Sequence, residues 1–324
     1  MKKYWLFTAA SILALSLAAC NGEEAAKESK ADTEEVETDK QEAQPTEMTI
    51  DYLGTSYTFP NPAEKIVAAS LEAMEDAAVL GVKPVGVLEV AGEIPSYLAT
   101  ELEGATLIGD KKAPNPEAIL TLEPDAIIGT SKWGEETFAP LNKIATTLPY
   151  SHISTNWKEN LLAFGAITNK TEEAEKIITD YEAKAAEAKA TLGESMADKE
   201  VLIIRVRGGI MNVYPAGVYL NPVLYEDLGL KVPEVITQAK AQAELTIETL
   251  AEIDPDVIFL QFEESENKDT PTALDDLQNN PIFANLTATK NNEVHVNTVA
   301  PLAQGGTAWS KTKFLDVAVD VLVK

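Results

Sequence analysis

Arg205 and Arg207 stand two residues apart at the end of a short apolar run, Val201-Leu202-Ile203-Ile204, and Gly208-Gly209 follows them. On a strand, residues i and i+2 share a face, so the two guanidinium groups are expected side by side as fixed cations. The glycines let the backbone turn immediately afterwards and leave the guanidinium groups uncrowded. Paired guanidinium forks suit planar anionic oxygens, and ligands of open α/β sheets collect beyond the carboxyl ends of the strands. The competing reading is a pair of ordinary salt bridges on an acidic protein. The strand-end position and the Gly-Gly pair favour a pocket.

Aromatic and polar residues recur at comparable places. Lys132 and Trp133 follow the run Ile127-Ile128, Tyr214 and Tyr219 follow the arginines, and Trp309 follows Gly305-Gly306. Tyrosine and tryptophan combine an apolar face with a hydrogen-bond donor, which suits a bulky, partly organic ligand. Each taken singly also reads as packing. Trp157 reads as part of a helix starting near Thr155, and Tyr225 as part of a helix face. His152 is a possible cleft residue after Thr147-Leu148-Pro149-Tyr150.

Other chemistries lack their parts. The two histidines, His152 and His295, are far apart and in no metal-ligand spacing, so direct capture of a bare metal is not expected. Gly208-Gly209 and Gly305-Gly306 form no phosphate loop, and Ser70 and Ser131 lack a nucleophile elbow or a matching base. No catalytic constellation is visible, and neither an enzyme nor a resident cofactor is expected.

The chain opens with Met1-Lys2-Lys3, an apolar run to Leu17, and Leu17-Ala18-Ala19-Cys20. This is an export signal too short for a membrane span. Cys20 is the only cysteine in 324 residues. Leu-Ala-Ala-Cys resembles a bacterial lipobox, in which the cysteine is lipidated and becomes the mature N-terminus. Residues 21–47 hold ten acidic residues and three lysines with little that is apolar, and read as a disordered spacer. Loss of Lys2 and Lys3 with the signal moves the formal charge from −26 to −28. That argues against nucleic acid, and against adhesion to anionic lipid, as partners, while leaving room for a local basic pocket.

Two halves follow one plan. Residues 116–128 align with residues 247–259 at a constant offset of 131, each copy giving a short helix, a proline stop and an apolar strand. Lys65–Ala69 and Glu200–Ile204 read as first strands of the halves, and Leu80-Gly81 and Leu228-Gly229 as glycine-closed helix ends. Thr171–Leu192 contains neither glycine nor proline and is rich in Ala, Glu and Lys, so it predicts one continuous helix joining the halves. The fold class is therefore α/β: two similar lobes with mainly parallel central sheets joined by one long rigid helix. The segments are a signal (1–19), lipidated cysteine and tether (20–47), N-terminal lobe (48–168), linking helix (169–195) and C-terminal lobe (196–324).

This organisation, together with Ala113-Pro114-Asn115-Pro116-Glu117, Leu122-Glu123-Pro124-Asp125, Leu224–Gly229 and Ala308-Trp309-Ser310-Lys311, resembles the cluster A-III substrate-binding proteins of bacterial ABC importers. Within them it is most similar to the siderophore-binding lipoproteins of Gram-positive bacteria. The resemblance implies a class III periplasmic-binding-protein fold and a ligand in the cleft between lobes that rock rather than clamp shut. It implies a ferric siderophore as ligand, which supplies the iron's own ligands, and the arginine pair points to an anionic one of citrate or mixed citrate–hydroxamate type. Haem or cobalamin is the alternative within the class, and an exported enzyme acting on metal chelates the alternative outside it. The implied partners are a permease heterodimer or homodimer with its ATPase, and the membrane through the lipid on Cys20. The implied location is the extracytoplasmic face of the cell membrane, with the protein expected as a monomer. Glu117 and Glu248 occupy matching positions at two helix starts, and the family docks such glutamates on permease arginines.

Overall fold

The computed structural model describes residues 46–111 and 113–323. The signal, Cys20 and nearly all of the acidic spacer lie outside the described residues. Thr46, two residues inside the stretch read as spacer, opens a hairpin of β1 (Thr46–Tyr52) and β2 (Thr55–Asn61) that precedes the strand expected first.

The N-terminal lobe continues through β3 (Ile66–Ala68), α1 (Leu71–Leu80), β4 (Gly86–Glu89), β5 (Thr106–Asp110), β6 (Ala113–Pro114), α2 (Pro116–Thr121), β7 (Ala126–Ile128), α3 (Glu135–Leu141), β8 (Thr147–Leu148) and α4 (Trp157–Ile167). Its sheet runs β6-β5-β4-β3-β7-β8, parallel apart from the edge strand β6. Helix α1 forms where Ser70 caps it, accepting from the Ala73 N–H at 3.0 Å, and ends at Gly81 in the left-handed region. Strands β3 and β7 are buried throughout, as all-apolar parallel strands are.

Helix α5 (Thr171–Leu192) is unbroken over 22 residues, about 33 Å, and leads to the second lobe. There β9 (Val201–Arg207) and β10 (Ile210–Val213) form a hairpin, followed by α6 (Glu234–Gln238), β11 (Ala243–Glu244), α7 (Ile247–Ile253), β12 (Val257–Phe262), α8 (Ala273–Gln278), α9 (Pro281–Ala284), α10 (Thr287–Lys290), β13 (Val294–Val296) and α11 (Ala308–Leu322). Its sheet runs β11-β10-β9-β12-β13, parallel only across β9, β12 and β13. The second lobe is thus more antiparallel than expected, because Gly208 and Gly209 both take positive φ (57° and 77°) and turn the arginine strand back on itself.

The lobes also share a brace that the sequence did not announce. Helix α11 follows the C-terminal sheet in the chain but packs on α1, α4 and α5. Its N-terminus receives two fully buried carboxylates from α1. Glu75 accepts from Tyr97, Thr307 and Ser310 hydroxyls and the Gln304 N–H, and Asp76 accepts from the Ala308 N–H and the Tyr150 hydroxyl, both at 3.0 Å. Negative charge at a helix N-terminus is favourable, because the unpaired amides and the helix dipole converge there. One turn further, the buried Lys311 pairs with Asp227 at 2.7 Å and lies over the rings of Trp157 and Tyr181.

Burial pushes the Glu75 carboxyl up to about 7 against the hydrogen bonds it accepts, and raises Asp76 for the same reason. An acid with a folded pKa above its unfolded value binds more protons when folded. It therefore favours the fold below the ordinary carboxylate range, and that contribution is lost as pH rises through about 7. For Glu75 the difference is roughly 3 kcal/mol. Glu75→Gln should flatten the fall in melting temperature between about pH 5 and pH 8, with Asp76 retaining part of the slope. An unchanged slope in thermal melts would contradict this.

Candidate ligand-binding site

A cavity of about 650 Å³ lies between the lobes, a size common for small-molecule sites. From the N-terminal lobe it is lined by residues just beyond strand carboxyl ends: Ser70 to Glu72 after β3, Lys111 after β5, Thr130, Lys132 and Trp133 after β7, and His152 and Ile153 after β8. The C-terminal lobe contributes Arg205 and Arg207 from β9, Tyr214, Val218 and Tyr219 from the segment after β10, and Lys240, Gln242, Glu266 and Gln304 from loops.

The two readings of the arginine pair prove compatible, since both side chains line the cavity and both form salt bridges. Glu266 Oε2 takes Arg205 Nη2 at 2.9 Å and Nε at 3.1 Å, and Arg207 Nε at 3.3 Å. Its Oε1 takes Lys111 from the opposite lobe at 3.3 Å. Burial alone would push the Glu266 carboxyl up, but Arg205, Arg207 and Lys111 together hold it below the usual range. Arg205 lies against the Tyr219 ring, 5.1 Å from its centroid, and Tyr219 in turn packs on Tyr214 at 5.2 Å. Arg207 is steadied by Gln242, whose Oε1 accepts from Arg207 Nη1 at 2.9 Å and from the Tyr214 hydroxyl at 3.1 Å. Tyr219 sits with φ near 60°, against Gly305. A Cβ at Gly305 would come within 2.4 Å of the Tyr219 carbonyl oxygen, so only glycine fits there.

On the other wall, Lys132 pairs with Glu72 at 2.8 Å. Trp133 lies over Gly129, where a Cβ would fall 2.3 Å from the indole, and meets Phe138 edge-on. Ser131 Oγ and His152 Nδ1 are 2.7 Å apart. Partial burial and then Lys132 lower the His152 pKa, against Glu72, which keeps the ring neutral near pH 7. Lys240 has no ion-pair partner among the described residues. Five cations (Lys111, Lys132, Arg205, Arg207, Lys240) therefore face two carboxylates (Glu72, Glu266), an excess of three positive charges in a chain of formal charge −26.

Of the residues expected at the site, Lys132, Trp133, Arg205, Arg207, Tyr214 and Tyr219 come together on this cavity. Trp309 does not. It occupies the first turn of α11, tilted against Tyr97 at 4.9 Å, because Gly305-Gly306 lead into a helix whose polar first turn is taken up by Glu75. Trp157 is buried against Tyr181, and the Tyr225 hydroxyl donates to the Val201 carbonyl. Lys111, Glu72, Lys240, Gln242 and Glu266 escaped the sequence reading. Lys111 and Glu266 carried the strand-end signal, but the acid-rich run Glu263-Glu264-Ser265-Glu266 resembles a solvated loop.

Glu117 and Glu248 are exposed at the second positions of α2 and α7. Asn115 Oδ1 accepts from the Glu117 N–H at 3.0 Å, and Thr246 Oγ1 from the Thr249 N–H at 3.1 Å. Each helix feeds a parallel strand, so each begins on the side where that strand ends, the rim of the cleft.

The family model described as periplasmic binding protein matches residues 66–297. The chain belongs to this family. Its members are binding proteins and not enzymes, and the α/β architecture agrees. The iron-uptake system-binding protein of Bacillus subtilis is 42% identical over the full length of both chains. A probable siderophore-binding lipoprotein of the same organism is 28% identical, covering 90% of this chain and 89% of the relative. The crystal structure of the Bacillus subtilis triscatecholate siderophore-binding protein FeuA with ferri-bacillibactin superposes with a TM-score of 0.81 at 44% identity, covering 85% of this chain and 98% of the other.

Arg205→Ala leaves a cavity beneath Tyr219 and strips the almost fully buried Glu266 of its closest partner, so it should cost about 3–5 kcal/mol in denaturant unfolding. Arg207, with a side chain 39% exposed, should cost about 1 kcal/mol or less when replaced by alanine. Equal losses would contradict the assigned geometry.

Proposed function

We propose that this chain is the lipid-anchored, extracytoplasmic receptor of an ABC importer for iron, and that its cleft takes a ferric siderophore of the tris(catecholate) type. The excess of three positive charges in the cavity carries the reading. Three doubly deprotonated catecholates around iron(III) leave a compact trianion, which balances that excess. The citrate-type ligand expected from the arginine pair alone gives way to this one, because the cations are more numerous than two and the 44%-identical structure holds a triscatecholate. The iron would arrive with its own ligands, and the protein would meet the outer surface of the chelate. Haem and cobalamin offer too little negative charge for the same set. Trp133, Tyr214 and Tyr219 supply apolar faces for the aromatic rings.

The anchor rests on Leu17-Ala18-Ala19-Cys20, and delivery to the permease on Glu117 and Glu248. Two exposed carboxylates, one on each lobe at the cleft rim, would fix orientation over a permease with basic patches and speed encounter.

Quenching of tryptophan fluorescence, with Trp133 on the cavity wall, gives the test. An iron(III) tris(catecholate) should bind far more tightly than haem or cobalamin. Arg207→Ala and Lys132→Ala should each weaken it by about tenfold or more, since a lost charge-assisted hydrogen bond costs about 1.5–3 kcal/mol. Preference for haem or cobalamin, or wild-type affinity in both variants, would overturn the assignment. The Glu117→Arg, Glu248→Arg double variant should bind the chelate normally and fail to support uptake in cells. Undiminished uptake would leave these glutamates as helix-start residues only.

A further inference from the structure

Glu72 faces one lysine, whereas Glu266 holds three cations drawn from both lobes. Its position is built. The Gly208 N–H donates to the Glu266 carbonyl at 3.1 Å, and neighbouring Asn267 donates to the Val206 carbonyl at 3.0 Å while accepting from the Gly209 N–H at 3.0 Å. The loop is thus clamped to the β9–β10 turn, which keeps the carboxylate within reach of the arginines.

Such a carboxylate acts on the empty and the occupied cleft in opposite ways. In the empty cleft it relieves the mutual repulsion of Arg205, Arg207 and Lys111 and gives the buried Arg205 a counter-ion. In the occupied cleft it faces an anionic ligand at short range and competes with it for the same donors. Both effects reduce the net gain on binding, and both favour departure of the ligand. Glu266 is almost fully buried, where charges are screened far less than in water, so one such charge against a trianion is a large effect.

We propose that Glu266 is the residue that lets the cleft release its cargo: a built-in competitor that re-engages Arg205, Arg207 and the cross-lobe Lys111 as the anionic chelate leaves. This rests on the reading of the cleft as a receptor for an anionic ferric chelate. It assigns Glu266 to positioning the cations and limiting residence time rather than to contacting iron.

The test is the dissociation rate of an iron(III) tris(catecholate), measured by stopped-flow fluorescence after mixing with excess competing apo-protein. Glu266→Gln removes the charge at constant shape and should slow dissociation by about tenfold or more, with a steeper salt dependence. Glu266→Asp keeps the charge and should stay within about threefold of wild type. A dissociation rate in Glu266→Gln that is unchanged or faster would overturn the proposal, because a merely supporting carboxylate would loosen the site when neutralised. Equal slowing in Glu266→Asp would overturn it as well, since charge would then not be the cause. Should Glu266→Gln fail to fold with Arg205 left unpaired, the same substitution in an Arg205→Met background, compared with Arg205→Met alone, should slow dissociation equally. Wild-type protein that does not bind the chelate would count against the functional reading itself, and the proposal would fall with it.

Discussion

Both lobes converge on the first turn of α11. The hydroxyls of Thr307 and Ser310 take up Glu75 and the Ala308 N–H takes up Asp76, both from the N-terminal lobe, while Lys311, one turn on, takes Asp227 from the C-terminal lobe. Tyr181 of α5 donates to the same Asp227 at 2.6 Å, and Trp157 of α4 covers the Lys311 ammonium. Buried charges are costly unless paired and hydrogen-bonded, so each of these groups tolerates little displacement. This joint and the linking helix both tie the two lobes together.

A chain with a formal charge of −26 holds five cations around one cavity, and two of them sit on a strand whose turn is formed by the Gly208-Gly209 pair and tied down by Asn267. Glu266 links the two walls through Lys111 and the arginines, which gives these three cations a shared counter-ion in the empty cleft.

Much of this was legible in the sequence because the signals were local. The 131-residue repeat gave α2–β7 and α7–β12, and Asn115, Pro116 and Thr246 marked the starts of their helices. Arg205 and Arg207 could be placed on one face from their spacing alone. What stayed hidden depends on contacts between distant segments. Trp309 looked like a pocket residue because glycines precede it, yet those glycines serve the approach of Tyr219 and Ser154, and the tryptophan starts a helix. Glu266 lies 61 residues from Arg205 in an acidic loop, and no spacing rule links them. The antiparallel return of β10 required the positive φ of both Gly208 and Gly209, which their presence allowed but did not demand.

The central claim is that the cleft recognises its cargo by charge as well as shape. Iron(III) and titanium(IV) tris(catecholates) have closely similar shapes but carry three and two negative charges. Calorimetric titration of the protein with both, at low and at high salt, separates the two contributions. The titanium dianion should bind about tenfold or more weakly than the ferric trianion, and the gap should narrow as salt is added. Equal affinities at every ionic strength would contradict it.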